Sequence, residues 1–344
     1  MRRPTFVDLP SPPPGKAGWP WTDDGIRTPD VRPPGSKSPR VSIVTPSYNQ
    51  GHFIEETIRS VLLQGYPDLE YIIIDGGSSD ATTAIIRKYE NWLTYWVSEP
   101  DEGQTEAIKK GWSLATGEVV AYINADDAYL PGAVSVAVDA FCARPDAGMV
   151  YGTAVIVDDR GRELRPWRAQ PFDVRRMLTR GSIVPQPATF FSAAALEEVG
   201  SLDDRWNMIM DYELAIRMGM RYPAISVSEA LARFRDHGKS KSRLKFEAIA
   251  DELVQLVGAL RPTGLSRRKW RRIRRATLSR IYVELAFAYL AQDKQEAAKA
   301  SSQVVRSVLA DPVWMFRRPL MAAHLARRML KAYASTLHRP HRTR

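Results

Sequence analysis

Three aspartates follow apolar runs, at positions where a carboxylate could bind a metal ion or accept a proton. Asp126 and Asp127 lie just beyond the apolar run EVVAYIN at 118–124, and Asp211 follows the apolar run WNMIM at the start of a helical pattern. Two acids at the tip of a buried strand repel each other, and a divalent cation bound through oxygen ligands relieves that repulsion. Such a pair is also typical of a turn or a helix cap. Asp211 has a structural alternative too, because an acid in the first turn of a helix is favoured by the helix dipole. The candidates are therefore a metal site and a general base, each with a structural alternative.

Polar and aromatic residues follow two earlier apolar runs. The string TPSYNQG at 45–51 offers Tyr48 for stacking and Asn49 for polar contacts, and IDGGSSDAT at 74–82 offers Asp75 beside two glycines. A carboxylate can accept hydrogen bonds from a base or a sugar hydroxyl, and glycines let the backbone approach a ligand. Either string could equally be a surface turn that leads into a helix.

The runs that carry these residues alternate between strand and helix patterns. The predicted order is strand 41–46, helix 51–63, strand 69–75, helix 80–90, strand 95–98, helix 104–114 and strand 118–124. This alternation predicts an open α/β sheet, mixed but mainly parallel, with helices on both faces. Ligands bind beyond the carboxyl ends of such strands, so the three clusters are expected to meet there.

Past residue 131 the pattern is mixed, and beyond residue 244 it is only helical. The mixed part predicts a helix, strand pairs near 148–158, a strand at 188–192, a helix at 210–218 and strands near 224–234. The stretch 284–312 resembles one tetratricopeptide-type hairpin, but a single unit is not an array, and a packing helical extension is preferred.

The N-terminal region differs from both. Residues 1–39 hold ten of the 24 prolines and show no apolar periodicity, so we expect a flexible or surface-draped arm. The predicted organisation is this arm, an α/β domain at 40–245 and a basic helical extension at 246–344.

Composition excludes several classes of protein. The 344 residues are 44% hydrophobic, so a wholly disordered or fibrous chain is excluded. The single cysteine, Cys142, excludes a disulfide framework and a cysteine-built zinc site and agrees with a reducing compartment. No run of about 18 apolar residues and no apolar leader segment occurs. We therefore expect a cytoplasmic location, without a membrane span or signal peptide.

Three long strings together resemble one family. They are VSIVTPSYNQGHFIEETIRSVLLQGYPDLEYIIIDGGSSDAT, SEPDEGQTEAIKKGWSLATGE and INADDAYLPGA, followed by QPATFF, MDYELAIR and FRDHGKSKS. In this order they are similar to family 2 nucleotide-sugar glycosyltransferases with the A-type fold. The resemblance covers about residues 40–245 and makes this part the expected catalytic domain.

The resemblance implies roles for individual residues. The implied donor-binding residues are Pro46, Tyr48, Asn49, Asp75, Gly76, Gln104, Asn124, Asp126 and Lys239. The implied ligands of Mg²⁺ or Mn²⁺ are Asp126, Asp127 and His237, the last from a loop that is similar to one closing over the diphosphate. Asp211 becomes the expected general base of an inverting transfer, with Glu213 a weaker candidate.

Two residues depart from the family pattern. Asn124 occupies the first position of the Asp-x-Asp motif, where an amide can still contact ribose. Lys109 stands where an asparagine is expected, which places a positive charge near the sugar or acceptor.

The expected function is metal-dependent transfer of a sugar from a nucleoside diphosphate, most simply UDP, to a glycan or lipid-linked acceptor. One alternative is a non-catalytic protein that binds nucleotide sugars, which an intact Asp126 and Asp211 argue against. The other is nucleic-acid binding by the basic tail, which predicts steep salt dependence. The oligomeric state is left open.

The positive charge of the chain is concentrated in its C-terminal part. Residues 261–344 contain 20 Lys and Arg against 4 Asp and Glu, and RRKWRRIRR at 267–275 places Trp270 and Ile273 on one helical face. That face suits an anionic membrane surface with the indole at the headgroups. A solvated helix face and an RNA site are the alternatives, and nucleic acid is the less favoured partner.

Overall fold

A computed structural model describes residues 4–22, 38–238, 245–260, 265–292, 296–313 and 319–337. The chain forms two compact units. The first contains residues 1–173 and 182–237, and the second contains residues 174–181 and 238–344. The two units are described separately below.

The first unit is built on a mixed sheet that contains nine strands among the described residues. The strands are β1 (Val41–Ser47), β2 (Leu69–Asp75), β3 (Tyr95–Ser98), β4 (Val119–Tyr122), β5 (Ala128–Tyr129), β6 (Met149–Val157), β7 (Glu163–Trp167), β8 (Thr189–Ser192) and β9 (Ala224–Arg235). Their order is β3-β2-β1-β4-β8-β6-β9-β5, with β7 paired to β6. The first four strands are parallel, and β8 joins β4 in antiparallel orientation. The expected open, mainly parallel architecture of the catalytic region is confirmed.

Helices cover the sheet of this unit. They are α1 (Ile54–Leu62), α2 (Thr82–Lys88), α3 (Gln104–Leu114), α4 (Ala133–Ala143), α6 (Ala193–Val199) and α7 (Met210–Arg221), while α5 (Val174–Arg180) belongs to the second unit. Every residue of β1 is buried, which is typical of a central parallel strand covered on both faces. The carboxyl ends of β1, β2 and β4 consequently share one edge, as predicted.

Two regions predicted to hold more than one strand form a single strand each in the structure. The region near 148–158 forms only β6, which pairs in antiparallel orientation with β8 and with the unpredicted β7. The region near 224–234 forms the single long β9, which pairs with β6 and with β5. Local periodicity shows extended chain but does not show which strands pair, and that explains the difference.

Residues 4–22 of the proline-rich arm pack on the first unit. Trp19 and Trp21 are buried, and Trp19 Nε1 donates to the carbonyl of Tyr129 at 2.8 Å. The buried guanidinium of Arg59 donates to the carbonyls of Pro10, Pro20 and Trp21 at 2.8–3.0 Å. This described part of the arm is therefore draped on the surface and not flexible. An arginine satisfies carbonyls that a proline-rich segment cannot pair internally, and two indoles supply the apolar area.

The second unit is helical. It contains α5, α8 (Phe246–Ala259), α9 (Arg267–Gln292), α10 (Ala297–Ala310) and α11 (Pro319–Leu337). Only four residues separate α9 from α10, and the hydroxyls of Ser279 and Ser307 lie 2.8 Å apart, so the two helices form an antiparallel hairpin. Helix α9 begins well before the stretch that resembles a tetratricopeptide hairpin.

The apolar face predicted for the basic run is not available to a membrane. Ile273 is only 4% exposed and Trp270 is half-buried, because the stripe that they share with Thr277 faces the interior of this unit. Sequence spacing placed the two side chains on one face correctly, but that face packs inward. Within the described residues, no helix is both long and apolar enough to span a bilayer.

Candidate active site

Asp126 and His237 meet at the carboxyl edge of the sheet. Asp126 lies in the turn after β4, and His237 lies two residues beyond the end of β9. The antiparallel pairing of β5 with β9 brings these two chain segments together. His237 Nε2 is 3.1 Å from Asp126 Oδ2, with 8% and 21% of the respective side chains exposed. A carboxylate oxygen and an imidazole nitrogen suit a divalent transition metal. Groups of three such side chains are absent from the described part of the chain, so the protein contributes a two-residue set there.

Asp127, the third predicted metal ligand, has a different place. Its side chain is 2% exposed, and its Oδ1 accepts the backbone N–H of Arg235 at 2.8 Å. Its Oδ2 is buried without a hydrogen-bond partner among the described residues. Burial, together with the charge of Asp126, raises the pKa of the Asp127 carboxyl well above its usual range. In this structure the Asp127 carboxyl is turned inward and joins the turn to β9, and its role as a metal ligand stays a prediction.

Arg235 supports both members of the Asp126–His237 pair. Its guanidinium is buried, donates to the carbonyl of Asp126 at 2.9 Å and forms an ion pair with Glu56 at 2.9 Å. It also lies 5.0 Å from the centre of the Phe53 ring, which in turn lies 5.1 Å from the His237 ring. Sequence reasoning missed this role, although Arg235 stands inside the FRDHGKSKS string. An arginine two residues before a candidate ligand was the available signal.

An amide network explains the asparagine at position 124. Gln104 Nε2 donates to Asn124 Oδ1 at 2.6 Å, and Asn124 Nδ2 donates to Gln186 Oε1 at 3.2 Å. The Asn124 amide also lowers the pKa of the nearby Asp127 carboxyl, against the larger effect of burial. An aspartate here could not donate to Gln186 and would place a third carboxylate beside Asp126 and Asp127. Gln186 is a further site residue that sequence reasoning did not single out from QPATFF.

Asp211 reaches the same region from helix α7. It is half-buried and lines a pocket with Tyr122, Gln186 and Tyr212. Gln186 lines this pocket and also belongs to the amide network. Asp211, the candidate base, and Asn124 therefore both lie next to Gln186. Burial raises the pKa of Tyr122, and the charge of Asp211 adds to this rise. The structure therefore brings Asp211 to the strand edge that carries Asn124.

Glu213, the weaker candidate, is an anchor for the helix. It is 9% exposed and forms a two-bond ion pair with Arg217 at 2.8–2.9 Å. Arg217 also donates to carbonyls of residues 199–201. Glu213 thus holds the loop before α7 and does not face the pocket.

The loops after β1 and β2 bind each other. Asp75 is fully buried, and its carboxylate accepts hydrogen bonds from Ser98 Oγ at 2.6 Å and from the backbone and hydroxyl of Ser78 at 2.9 and 2.6 Å. Asn49, at φ +52°, accepts the backbone N–H of Ser79 at 2.9 Å. In this structure Asp75 and Asn49 build the loop, and direct contact of either with a donor stays a prediction.

The remaining donor-binding candidates differ in exposure. Tyr48 is 61% exposed and presents its ring to solvent, whereas Pro46 is buried inside β1. A Cβ on Gly76 would lie 2.8 Å from a carboxylate oxygen of Asp101, so a larger residue there would displace the Asp101 side chain. Lys239 lies outside the described residues.

Lys109 forms an ion pair with Asp204, in the segment before α7. Both side chains are more than a third exposed. This pair joins α3 to the segment that leads to Asp211, so the charge of Lys109 is matched within the protein.

Comparison with solved structures identifies the fold. TarS of S. aureus (residues 1–349, in complex with UDP-GlcNAc) superposes with a TM-score of 0.60 at 16% identity, covering 86% of this chain and 89% of that chain. The mannosyltransferase PcManGT of Pyrobaculum calidifontis, solved with GDP-Man and Mn²⁺, gives a TM-score of 0.54 at 21% identity over 90% of both chains. The mixed sheet with its acidic edge is the A-type fold of nucleotide-sugar glycosyltransferases.

Sequence comparison supplies the family. Residues 42–200 match the model of glycosyl transferase family 2. The uncharacterized glycosyltransferase MT1564 of Mycobacterium tuberculosis is 29% identical over 211 residues, which cover 60% of this chain and 79% of that protein. The putative teichuronic acid biosynthesis glycosyltransferase TuaG of Bacillus subtilis is 39% identical over 92 residues, covering 26% of this chain and 36% of that protein. Residues 42–200, a little under half of the chain, resemble glycosyl transferase family 2, and these matches together make the chain a glycosyltransferase.

Proposed function

We propose that this enzyme transfers a sugar from a nucleoside diphosphate sugar, most simply a UDP-sugar, to a hydroxyl group of a glycan or lipid-linked acceptor. The transfer inverts the configuration at the anomeric carbon. One observation carries the proposal. The Asp126–His237 pair and the Asp211 pocket lie at the same strand edge, linked through Asn124 and Gln186. An inverting transfer needs these two parts, a site for the departing diphosphate and a separate base.

A divalent cation fits the first part. Asp126 and His237 would hold Mg²⁺ or Mn²⁺ through a carboxylate oxygen and an imidazole nitrogen. When bound, the ion neutralises charge that develops on the diphosphate as it leaves. Arg235 fixes the backbone of Asp126 and, through Phe53, the ring of His237, so both side chains are held in place before the donor arrives. The Mn²⁺ in the PcManGT complex supports this assignment.

Asp211 performs the second part. Its carboxylate takes the proton of the acceptor hydroxyl as that oxygen attacks the anomeric carbon opposite the diphosphate. The amide network of Gln104, Asn124 and Gln186 orients polar groups toward the ribose or sugar. Tyr48, with its exposed ring, stacks on the base.

Similarity to named proteins supports the substrate classes. The TarS structure contains UDP-GlcNAc, which supports a UDP-linked donor, and the name of TuaG concerns an envelope polysaccharide, which supports a glycan acceptor. A cytoplasmic location stays a prediction. The role of the basic C-terminal part in binding a surface is a separate proposal, made below.

A nucleotide-release screen tests the function. Purified enzyme is incubated with UDP- and GDP-linked sugars, with Mn²⁺, Mg²⁺ or EDTA, and released nucleotide is measured. Release from a UDP-sugar that stops in EDTA is expected. Donor binding without release, with or without acceptor extracts, would favour a non-catalytic binding protein. Nucleotide release that persists in EDTA would show that the reaction needs no divalent cation. Release from GDP-sugars alone would show that the donor is a GDP-sugar and not a UDP-sugar.

A further inference from the structure

Seven cationic side chains surround the start of α9 without acidic partners. We name this set the basic collar; it consists of Arg267, Arg268, Lys269, Arg271, Arg272, Arg274 and Arg275, and all seven are exposed. Within the described part of the chain none of them forms an ion pair, although Lys and Arg elsewhere in the second unit do. The only other positions in this stretch are Trp270 and Ile273, which face inward. The collar therefore presents charge on every side of the helix that is not packed.

The acidic side chains that the structure describes in the second unit form no ion pair with the collar. Glu284 pairs with Arg280, Glu296 pairs with Lys299, and Asp311 is buried. Glu247 of α8 hydrogen-bonds Tyr289, fourteen residues beyond Arg275 on α9. At 1.5 Å per residue this is about 21 Å along the helix, roughly twice the Debye length at physiological salt. The collar is thus a local cationic surface, which attracts an anionic partner.

Aliphatic side chains stand at the same end of the α9–α10 hairpin. Val305, Leu309 and Val313 are 58%, 75% and 43% exposed, and the first two lie one turn apart on the outer face of α10. Since Ser279 pairs with Ser307 in the antiparallel hairpin, Leu309 comes level with residue 277, and Val313 follows three residues beyond the end of α10. Exposed apolar surface therefore adjoins the collar.

The chemistry of this surface selects one kind of partner. Proteins that bind single-stranded nucleic acid combine positive charge with exposed aromatic rings for base stacking. Among the described residues, the exposed apolar side chains beside the charge are aliphatic, and the indole of Trp270 is half-buried. Aliphatic groups next to a cluster of arginines match the boundary between anionic headgroups and acyl chains.

We propose that the basic collar, with Val305, Leu309 and Val313, binds an anionic phospholipid surface reversibly. The cations supply attraction, which falls with salt, and the aliphatic side chains supply contact that persists at high salt. Each cation near such a surface contributes up to about fivefold in the partition coefficient. The site lies within the second unit and does not depend on the identity of the donor or acceptor.

Vesicle co-sedimentation of the full chain tests this proposal. The vesicles contain phosphatidylglycerol and phosphatidylcholine in equal parts, or phosphatidylcholine alone, at about 0.1 M and about 0.5 M salt. The test variant is Arg271→Gln/Arg272→Gln/Arg275→Gln. The matched control is Arg160→Gln/Arg165→Gln/Arg168→Gln, which removes the same charge from exposed arginines of the first unit.

A third variant, Val305→Ser/Leu309→Ser, tests the apolar part. Circular dichroism checks the helix content of each.

The collar variant is expected to lose at least about tenfold in partitioning onto anionic vesicles, and the control less than about twofold. The serine variant is expected to lose the binding that remains at high salt. Equal losses in collar and control variants, or equal binding to neutral vesicles, would overturn the proposal. Tighter binding to an RNA oligonucleotide or an acidic peptide than to vesicles would also overturn it. Nucleotide release by the same variants is measured in parallel, so failure here is distinguishable from failure of the proposed transferase function.

Discussion

His237 Nε2 lies 3.1 Å from Asp126 Oδ2, although 111 residues separate them in the chain. The contact exists because β9 runs beside β5, so the end of β9 returns to the turn that follows β4. The buried Arg235 contacts the backbone of Asp126 and the Phe53 ring, which is the aromatic neighbour of His237. The proposed leaving-group side of the site is therefore complete only when the last strand of the sheet is in place.

Replacing Asp126 by alanine is expected to reduce transfer to background and to weaken donor binding in Mn²⁺. The reason is that the carboxylate is one of two protein groups placed to hold the cation. Nucleotide release against Mn²⁺ concentration measures the effect. Asp146→Ala is the control, since its ion pair with Arg144 is exposed to solvent and includes no residue of the candidate site, so its loss should change neither turnover nor Mn²⁺ dependence. An Asp126→Ala enzyme with full turnover would contradict the assignment.

Asp211→Asn is expected to lower turnover by at least about 10²-fold while donor affinity stays near normal, because the amide keeps the shape and loses the base. Calorimetric donor binding and turnover are compared in the same preparation. Glu213→Gln is the control variant, because it breaks the ion pair with Arg217 outside the pocket. It should lower the free energy of unfolding and leave turnover nearly unchanged. A parallel loss of binding and turnover in Asp211→Asn would make it a donor ligand or a structural residue.

Arg235→Met is expected to lower the free energy of unfolding by about 3–5 kcal/mol, because Glu56 would remain buried without its partner. Urea denaturation followed by circular dichroism measures the change. In the double variant Glu56→Gln/Arg235→Met part of this loss should be recovered, since the unpaired charge is gone. Arg221→Met, which breaks an exposed pair with Glu198, should lower the free energy of unfolding much less, because water solvates the carboxylate that remains. Equal costs for the two arginines would show that burial of the first pair does not matter.

Gly111→Ala in α3 is expected to lower the melting temperature, although alanine is the better helix former by about 1 kcal/mol. A Cβ at this position would overlap both methyl groups of Val44 in the buried strand β1, and overpacking of this kind costs about 1–3 kcal/mol. Gly258→Ala in α8 provides the comparison, because no atom lies within 4 Å of its Cβ position. That variant should melt at the same temperature or higher. The prediction fails if both variants are equally stabilised.

The first half of the catalytic domain could be predicted closely from sequence. The strands ending at Ser47, Asp75 and Tyr122 are apolar runs bounded by turn residues, and a buried parallel strand has no competing pattern. The burial of Asp127 could not be predicted in this way, because the backbone N–H that it accepts comes from residue 235. Ile273 shows the same limit, since helical spacing identifies a face but not what covers it. Long-range pairing decided both cases.

Residues 4–22 are synthesised before everything that holds them. Trp19 donates to Tyr129, 110 residues later, and its own carbonyl accepts from Arg233, 214 residues later. Such non-local contacts cost loop entropy and form late, so this segment can dock only after β5 and β9 have met. The burial of Trp19 and Trp21 is thus expected to belong to the last step of folding.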